Sequence, residues 1–196
     1  MALFQGKPKS DDGRIPPGQY RERGFPVLSY GPTPEIDTSE WKLEIDGLVE
    51  RTLSFTWDEL MAMPQAEWTT DIHCVTRWSK LDTVWQGVWL DDLLTRAGGA
   101  KPNATHLLAS CYGGYTTNIP LDEIINKQSM IAHTFDGKPL PAEHGGPARL
   151  LVPHLYFWKS AKWVNRLTLL DHDEAGFWEV NGYHMHGDPW TEERYS

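Results

Sequence analysis

Proline and glycine interrupt this chain so often that long regular elements have little room to form. The 196 residues include 14 prolines and 17 glycines, and both residue types mark turns and the ends of regular elements. The segments between them are short, and most have the composition of strands. We therefore expect an α+β fold with mixed or antiparallel sheets and a few short helices.

The strand prediction is clearest at residues 41–46, where apolar and charged side chains alternate. Trp41, Leu43 and Ile45 are predicted to face the core, which is the pattern of a half-buried strand. Further strands are predicted at residues 68–74, 105–112, 130–135, 149–152 and 163–170.

The helical signals are brief. Thr56 and Glu59 have the spacing of a capping box, which predicts a short helix that ends before Pro64. A second short helix is predicted over residues 90–97, and one or two helical turns over residues 121–126.

The domain prediction is simple. Prolines and glycines break residues 15–18 and 31–34, so we expect residues 1–35 to form an irregular arm that packs on the domain. Residues 36–196 are expected to form a single domain, because no linker divides them.

Composition and charge exclude several classes of function. The net charge is −9 and the isoelectric point is near 5.3, whereas nucleic-acid and anionic-membrane binders are usually basic. No apolar run reaches the ~20 residues of a membrane-spanning helix. No export signal is recognisable at the N-terminus and there are only two cysteines, so the expected location is the reducing cytoplasm.

Cys74 is the first candidate for chemistry, because it lies at the end of a predicted strand. Arg77 and Lys80 follow closely, and nearby cations are expected to lower the pKa of its thiol. The alternative is a buried structural cysteine, the expectation also for Cys111. His73 is predicted to point to the opposite face of the strand from Cys74.

A basic segment is the second candidate. Residues 144–170 contain no acidic residue and four cations: Arg149, Lys159, Lys162 and Arg166. Cationic side chains and loop amides together favour an anionic group such as phosphate. The alternatives are a solvated positive face, or neutralisation of this segment by the acidic residues of 171–196.

Two other chemistries are compatible with the sequence. His184 and His186 place two imidazoles two residues apart, but zinc usually requires three or four ligands. Cys74 and His144 are the residue types of a Cys-His hydrolase, although nothing in the sequence brings them together.

Taken together, the motifs resemble the molybdopterin domain of the sulfite oxidase family. The segments that carry the resemblance are residues 41–47, 74–79, 115–121, 137–141, 144–153 and 159–163. Each is weak alone, but they occur in the family's order and at roughly its spacing. Residues 176–190 also resemble the catalytic subunits of bacterial protein-methionine-sulfoxide reductases.

The resemblance implies specific residue roles. Cys74 matches the single protein ligand of molybdenum, and a soft thiolate suits that metal. Tyr115 matches a tyrosine of the substrate pocket, where its hydroxyl can hydrogen-bond an oxygen atom. The residues matched to contacts with the pterin and its phosphate are Phe25, Leu28, Ser110, His144, Arg149, Lys159, Ser160, Ala161 and Lys162.

The implied activity is a molybdopterin-dependent, two-electron oxygen-atom transfer to or from a small oxo-substrate such as a sulfoxide, an N-oxide or a sulfite-like anion. No haem-attachment motif is present, so electrons are expected to pass to or from a separate protein or a quinone system. Trp78 stands where a sulfite oxidase has polar residues, which favours a neutral substrate. The alternative class is a non-catalytic binding module that retains the fold.

Overall fold

The computed structural model describes residues 13–196, and β-strands dominate this part of the chain. The strands are β1 (Tyr20–Arg21), β2 (Lys42–Gly47), β3 (Leu53–Thr56), β4 (Ala66–His73), β5 (Trp78–Trp89), β6 (His106–Cys111), β7 (Thr116–Pro120), β8 (Met130–Phe135), β9 (Lys138–Pro139), β10 (Arg149–Leu151) and β11 (Val164–Leu170). The helices are α1 (Trp57–Met61), α2 (Leu90–Arg96) and α3 (Phe177–Val180), with 3-10 turns at Leu121–Glu123 and Ala142–His144.

These strands form two sheets within residues 13–196. One sheet has the order β1-β5-β8-β10, with β4 also paired to β5 and β9 to β8. The other has the order β3-β2-β11-β6-β7. The β1–β5 and β11–β2 pairs are parallel and the other pairs are antiparallel. The predicted α+β class with mixed sheets and short helices is confirmed.

The first sheet is buried on both faces, which explains why β8 is continuously apolar at its start. Ile131 belongs to the main core, which it shares with β2, β6 and β11. Its neighbours Met130 and Ala132 belong to a second, aromatic-rich cluster with Trp85 and Phe157. Successive side chains of a strand point to opposite faces, so one strand supplies both cores.

The local predictions for β2 and α1 are confirmed. Trp41, Leu43 and Ile45 are each at most 1% exposed. Thr56 caps α1 as predicted, because its hydroxyl accepts from the Glu59 amide and the Glu59 carboxylate accepts from the Thr56 amide.

The longest strand, β5, is absent from the sequence predictions. Its buried face includes Thr83 and Gly87, which weaken the apolar alternation, and Asp82 has a positive φ of 56°. A Cβ at Gly87 would lie 2.1 Å from the Ile131 carbonyl oxygen. The β8 backbone therefore approaches so closely that position 87 must be glycine. A strand is usually recognised by a larger apolar residue at such a buried position.

The described part of the arm lies against the domain. Tyr20 and Arg21 pair with Trp78 and Ser79 of β5, and Phe25 packs on the second core. Residues 1–12 of the predicted arm lie outside the described residues, and the boundary at residue 35 stays a prediction. None of the described helices has the length and apolar character needed to span a membrane.

Candidate active site

Segments that are distant in sequence surround one cavity of about 330 Å³. The arm contributes residues 25–26 and 28–30, the turn after β4 contributes Cys74, and the loop between β10 and β11 contributes residues 157–158 and 160–163. The predicted site residues that line it are Phe25, Leu28, Cys74, Tyr115, His144, Arg149, Ser160, Ala161 and Lys162.

Cys74 immediately follows β4 and is 7% exposed. A tight turn holds its backbone, because the Cys74 amide donates to the Trp78 carbonyl at 2.8 Å and the Arg77 amide donates to the Cys74 carbonyl at 2.9 Å. The arm adds a hydrogen bond from the Gln19 side-chain amide to the same carbonyl at 3.1 Å. The Sγ atom lies 3.1 Å from Thr76 Oγ1, so the turn presents the thiol to the cavity.

The prediction that Arg77 and Lys80 lower the pKa of this thiol is wrong. Arg77 is exposed, and Lys80 donates to the Arg23 carbonyl. Burial raises the pKa of Cys74, and the cation that opposes this effect is Arg194. Arg194 approaches from the C-terminal segment and donates to the Val75 carbonyl at 2.6 Å.

His73 faces away from this cavity, as strand alternation predicts. It lines a separate cavity of about 340 Å³ together with His154 and Trp190. Its Nδ1 atom is 2.8 Å from Ser79 Oγ, and burial lowers its pKa to about 4. The imidazole next to Cys74 in sequence is therefore not its chemical partner.

Arg149 is a buried cation of the cavity without an acidic partner among the described residues. It donates to the His144 carbonyl at 2.8 Å and to the Ser160 carbonyl, and its guanidinium carbon lies 4.0 Å from the centre of the Phe157 ring. Burial lowers its pKa to about 9. A buried charge that meets only carbonyl oxygens and a ring is incompletely compensated.

Lys162 and His144 extend the polar part of the cavity. Burial and the charge of Arg149 lower the pKa of Lys162 to about 8, while its Nζ donates to the Leu28 and Glu143 carbonyls at 2.6 Å each. Burial and the same arginine lower the pKa of His144 to about 4. The His144 ring stacks on Phe25.

The cavity has the composition of an anion site. No aspartate or glutamate is among the described residues that line it. The buried His144 Nδ1 and Trp78 Nε1 atoms have no hydrogen-bond partner among the described residues. Unused polar atoms beside an uncompensated arginine fit a polar, negatively charged ligand such as a pterin with its phosphate.

Two predicted cofactor contacts, Lys159 and Ser110, are not among the described residues that line the cavity, and their role stays a prediction. The Lys159 side chain is fully buried, and its Nζ lies 2.6 Å from Glu179 Oε1 and 2.8 Å from the Asn118 carbonyl. Ser110 is on β6, where alternation places it on the opposite face from the buried Cys111.

Tyr115 lines the cavity, but its hydroxyl is already engaged. It donates to the Trp158 carbonyl at 2.7 Å, and burial together with Glu179 raises its pKa well above the usual value. The residue is 9% exposed. Its position agrees with the predicted place in the pocket, but its proton is committed to the backbone.

Sequence reasoning missed most of the aromatic wall. Tyr30, Trp158, Trp163, Trp178 and Tyr183 all line the cavity. The only signal was compositional, since ten tryptophans in one chain are compatible with a pocket walled by flat rings. Composition does not show which rings meet.

The alternative of a zinc site at His184 and His186 has no support among the described residues. His186 lies between Glu193 and Glu123, at 2.8 and 2.9 Å, while His184 Nδ1 accepts from the His186 amide. Among residues 13–196, no three histidine, cysteine or acidic side chains converge in a way that could hold a metal ion.

The comparison with known families identifies the family of this chain. A family model described as the oxidoreductase molybdopterin binding domain matches residues 30–178. The chain belongs to this family. The predicted resemblance to the sulfite oxidase family is thereby confirmed, and the protein is a molybdopterin-binding oxidoreductase.

Individual relatives agree with the family. The chain is 43% identical to the uncharacterized oxidoreductase YuiH of Bacillus subtilis (strain 168), over 99% of both chains. It is 31% identical to the protein-methionine-sulfoxide reductase catalytic subunit MsrP of Gluconobacter oxydans (strain 621H), over 70% of this chain and 49% of that subunit.

A solved structure shows the same fold. The sulfane dehydrogenase SoxCD from Paracoccus pantotrophus matches with a TM-score of 0.65 and 28% identity, over 71% of this chain and 40% of that one. The matched region is therefore less than half of the SoxCD chain and about half of the MsrP subunit, whereas the match to YuiH extends over nearly the whole length of both proteins.

Proposed function

We propose that this protein binds molybdenum through Cys74 and transfers an oxygen atom to or from a small oxo-substrate. The observation that carries the proposal is that the Cys74 thiol and the uncompensated Arg149 line one cavity to which residues 13–196 contribute no carboxylate. A soft thiolate and an anion site are the two features that a phosphate-bearing dithiolene cofactor requires.

Different residues of the cavity are proposed to bind different parts of the cofactor. Cys74 Sγ is the proposed metal ligand, Arg149 and Lys162 are the proposed phosphate contacts, and Ser160 and Ala161 line the cavity between them. His144 Nδ1, buried and unpartnered among the described residues, is available to a polar atom of the pterin. When bound, the cofactor supplies a metal that cycles through a two-electron change, and the chain supplies binding and orientation.

The aromatic part of the cavity wall near Cys74 favours a neutral substrate. Arg77, which follows Cys74 in sequence, is exposed and does not line the cavity, whereas Trp78 does. Tyr183 and Trp158 add aromatic surface, and desolvating a small dianion against such a wall is unfavourable. We therefore favour a sulfoxide or an N-oxide over sulfite.

The electrons are proposed to come from or go to a separate protein or a quinone system, without a haem on this chain. The relative MsrP is described as a catalytic subunit, which supports a division of labour between chemistry and electron supply. A cytoplasmic location is part of the same proposal, since neither cysteine of this chain is in a disulfide.

The test is elemental analysis and turnover of protein made in cells that synthesise the cofactor. Wild-type protein is expected to hold about one molybdenum or tungsten per chain, coordinated by one protein thiolate. Cys74→Ser should abolish turnover with a reduced viologen dye and dimethyl sulfoxide or trimethylamine N-oxide. Cys111→Ser is the matched control, because Cys111 is also buried but lies in the main core.

Two outcomes would contradict the proposal. Absence of both metals from fresh wild-type protein would favour the non-catalytic binding module. Metal-independent hydrolysis that is sensitive to thiol alkylation would favour the Cys-His hydrolase, although Cys74 has a raised pKa and His144 a lowered one, opposite to an activated pair.

A further inference from the structure

Two tyrosines, Tyr115 and Tyr183, line the cavity that contains Cys74. A phenol has one proton to donate. Tyr115 uses its proton in the 2.7 Å hydrogen bond to the Trp158 carbonyl. No hydrogen bond of the Tyr183 hydroxyl is found within residues 13–196.

The charged surroundings of the two hydroxyls also differ. The ionisable groups that act on the Tyr115 hydroxyl are Glu179, Cys111 and Arg149. Those that act on the Tyr183 hydroxyl are Tyr195 and Cys74. Tyr183 and Cys74 line the same cavity, and Cys74 is among the groups that act on the Tyr183 hydroxyl but not among those that act on the Tyr115 hydroxyl.

The Tyr183 ring is held in place while its hydroxyl stays available. The ring stacks on Trp178 at 4.9 Å and 20°, and meets Trp158 and Tyr195 edge-on at 5.0 and 5.4 Å. The Tyr183 amide donates to the Trp178 carbonyl at 3.0 Å. A fixed ring with a free donor is the arrangement that stabilises developing charge without reorganisation.

We propose that the Tyr183 hydroxyl donates a hydrogen bond to the oxygen atom of an oxo-substrate held beside Cys74, and that Tyr115 instead braces the wall of the same cavity. This inference rests on the proposed function. Reduction of a sulfoxide takes two electrons from the separate donor and two protons, breaks the sulfur–oxygen bond, and gives a thioether and water. Tyr183 keeps its own proton and stabilises negative charge on the departing oxygen.

The first test compares matched tyrosine-to-phenylalanine variants of molybdenum-loaded protein, with dimethyl sulfoxide and a reduced viologen dye. Tyr183→Phe is expected to lower kcat/KM by about 10–100-fold, the effect of losing one well-placed donor. Tyr115→Phe should chiefly lower Tm, because the Trp158 carbonyl loses its donor. Tyr195→Phe, an exposed neighbour of Tyr183, should match wild type.

The second test measures binding without turnover. Dimethyl sulfone has oxygen acceptors like those of a sulfoxide, and its Kd can be determined by calorimetry. Tyr183→Phe is expected to raise this Kd by about 5–10-fold, the loss of one hydrogen bond. Tyr195→Phe should leave the Kd unchanged.

The outcomes separate this inference from the function on which it rests. If Tyr183→Phe keeps kcat/KM and sulfone affinity within about 2-fold of wild type while Tyr115→Phe loses both, Tyr115 is the donor and the assignment is overturned. Loaded wild-type protein that reduces neither dimethyl sulfoxide nor trimethylamine N-oxide contradicts the proposed function instead. The comparison of the dimethyl sulfone Kd between wild type and Tyr183→Phe then tests the role of Tyr183 without any measurement of turnover.

Discussion

Two cations of the same basic segment, Lys159 and Arg149, are buried to nearly the same extent but in opposite circumstances. Lys159 meets the Glu179 carboxylate at 2.6 Å, and both side chains are fully buried. Arg149 is 1% exposed and meets only backbone carbonyls and an aromatic face. One charge is compensated within the fold, and the other is not.

This difference indicates that the charge of Lys159 stabilises the fold, whereas the charge of Arg149 serves ligand binding. The Lys159–Glu179 pair joins the loop before β11 to α3, and Thr117 and Trp158 also donate to Glu179. The charge of Lys159 is therefore balanced within the described residues, although Glu179 Oε2 has no hydrogen-bond partner among them. Arg149 lines a cavity to which residues 13–196 contribute no carboxylate, so a bound anion would supply the counter-charge that these residues do not.

The largest expected effect comes from breaking the compensated pair. Lys159→Met leaves the Glu179 carboxylate buried without its cation, so the free energy of unfolding should fall by about 3–5 kcal/mol, measured by urea denaturation. Adding Glu179→Leu should recover much of this loss, because no unpaired charge remains.

Arg166→Met is the control for that experiment, since Arg166 pairs with Glu44 on the surface. It should change stability by less than about 1 kcal/mol. A Lys159→Met variant as stable as this control would show that the buried pair is not a structural requirement.

An effect of intermediate size on the free energy of unfolding is expected when an anion binds beside Arg149. Inorganic pyrophosphate, at about ten times its Kd, should stabilise cofactor-free wild-type protein by about 1.4 kcal/mol through mass action. Lys162→Met should weaken this stabilisation, whereas Arg166→Met should retain it. Equal stabilisation of all three proteins would place the anion elsewhere.

The smallest expected effect is a decrease in the free energy of unfolding as the pH falls. The pKa of His144 is about 4, below its ordinary value of 6.5, so the unfolded chain binds a proton more readily than the folded one. Its contribution to stability is complete above pH 6.5 and is lost as pH falls towards 4. At pH 6 the loss should be less than about 1 kcal/mol.

His144→Gln tests this contribution in cofactor-free protein. Unfolding free energies of wild type and variant should converge as pH falls from 7.5 to 5. Curves that stay parallel over this range would show that His144 is not held neutral by its cationic neighbours.

Sequence patterns predicted the local features well. The alternation of Trp41, Leu43 and Ile45, the capping box at Thr56, and the opposite orientations of His73 and Cys74 all follow from interactions between near neighbours. β5 was missed because its buried Gly87 is required by the close β8 backbone and its buried Thr83 donates to the Thr70 carbonyl of β4, and neither contact is visible in the local sequence.

The site was predictable in outline only. Ordered motifs indicated Cys74 and a basic loop, and the cavity contains both. They did not distinguish Arg149 from Lys159, because the partner of Lys159 comes from residue 179. Nor did they indicate Tyr183, which enters the cavity from the C-terminal segment.

The strand-forming patterns, the thiol at a strand end and the clustering of positive charge can be read from the amino-acid sequence, because each depends on residues adjacent along the chain. Which cation has no carboxylate partner among residues 13–196, and which tyrosine hydroxyl makes no hydrogen bond there, became visible in the folded chain. Those properties depend on burial and on contacts between distant segments, and such contacts exist only once the two sheets and both chain ends have packed together.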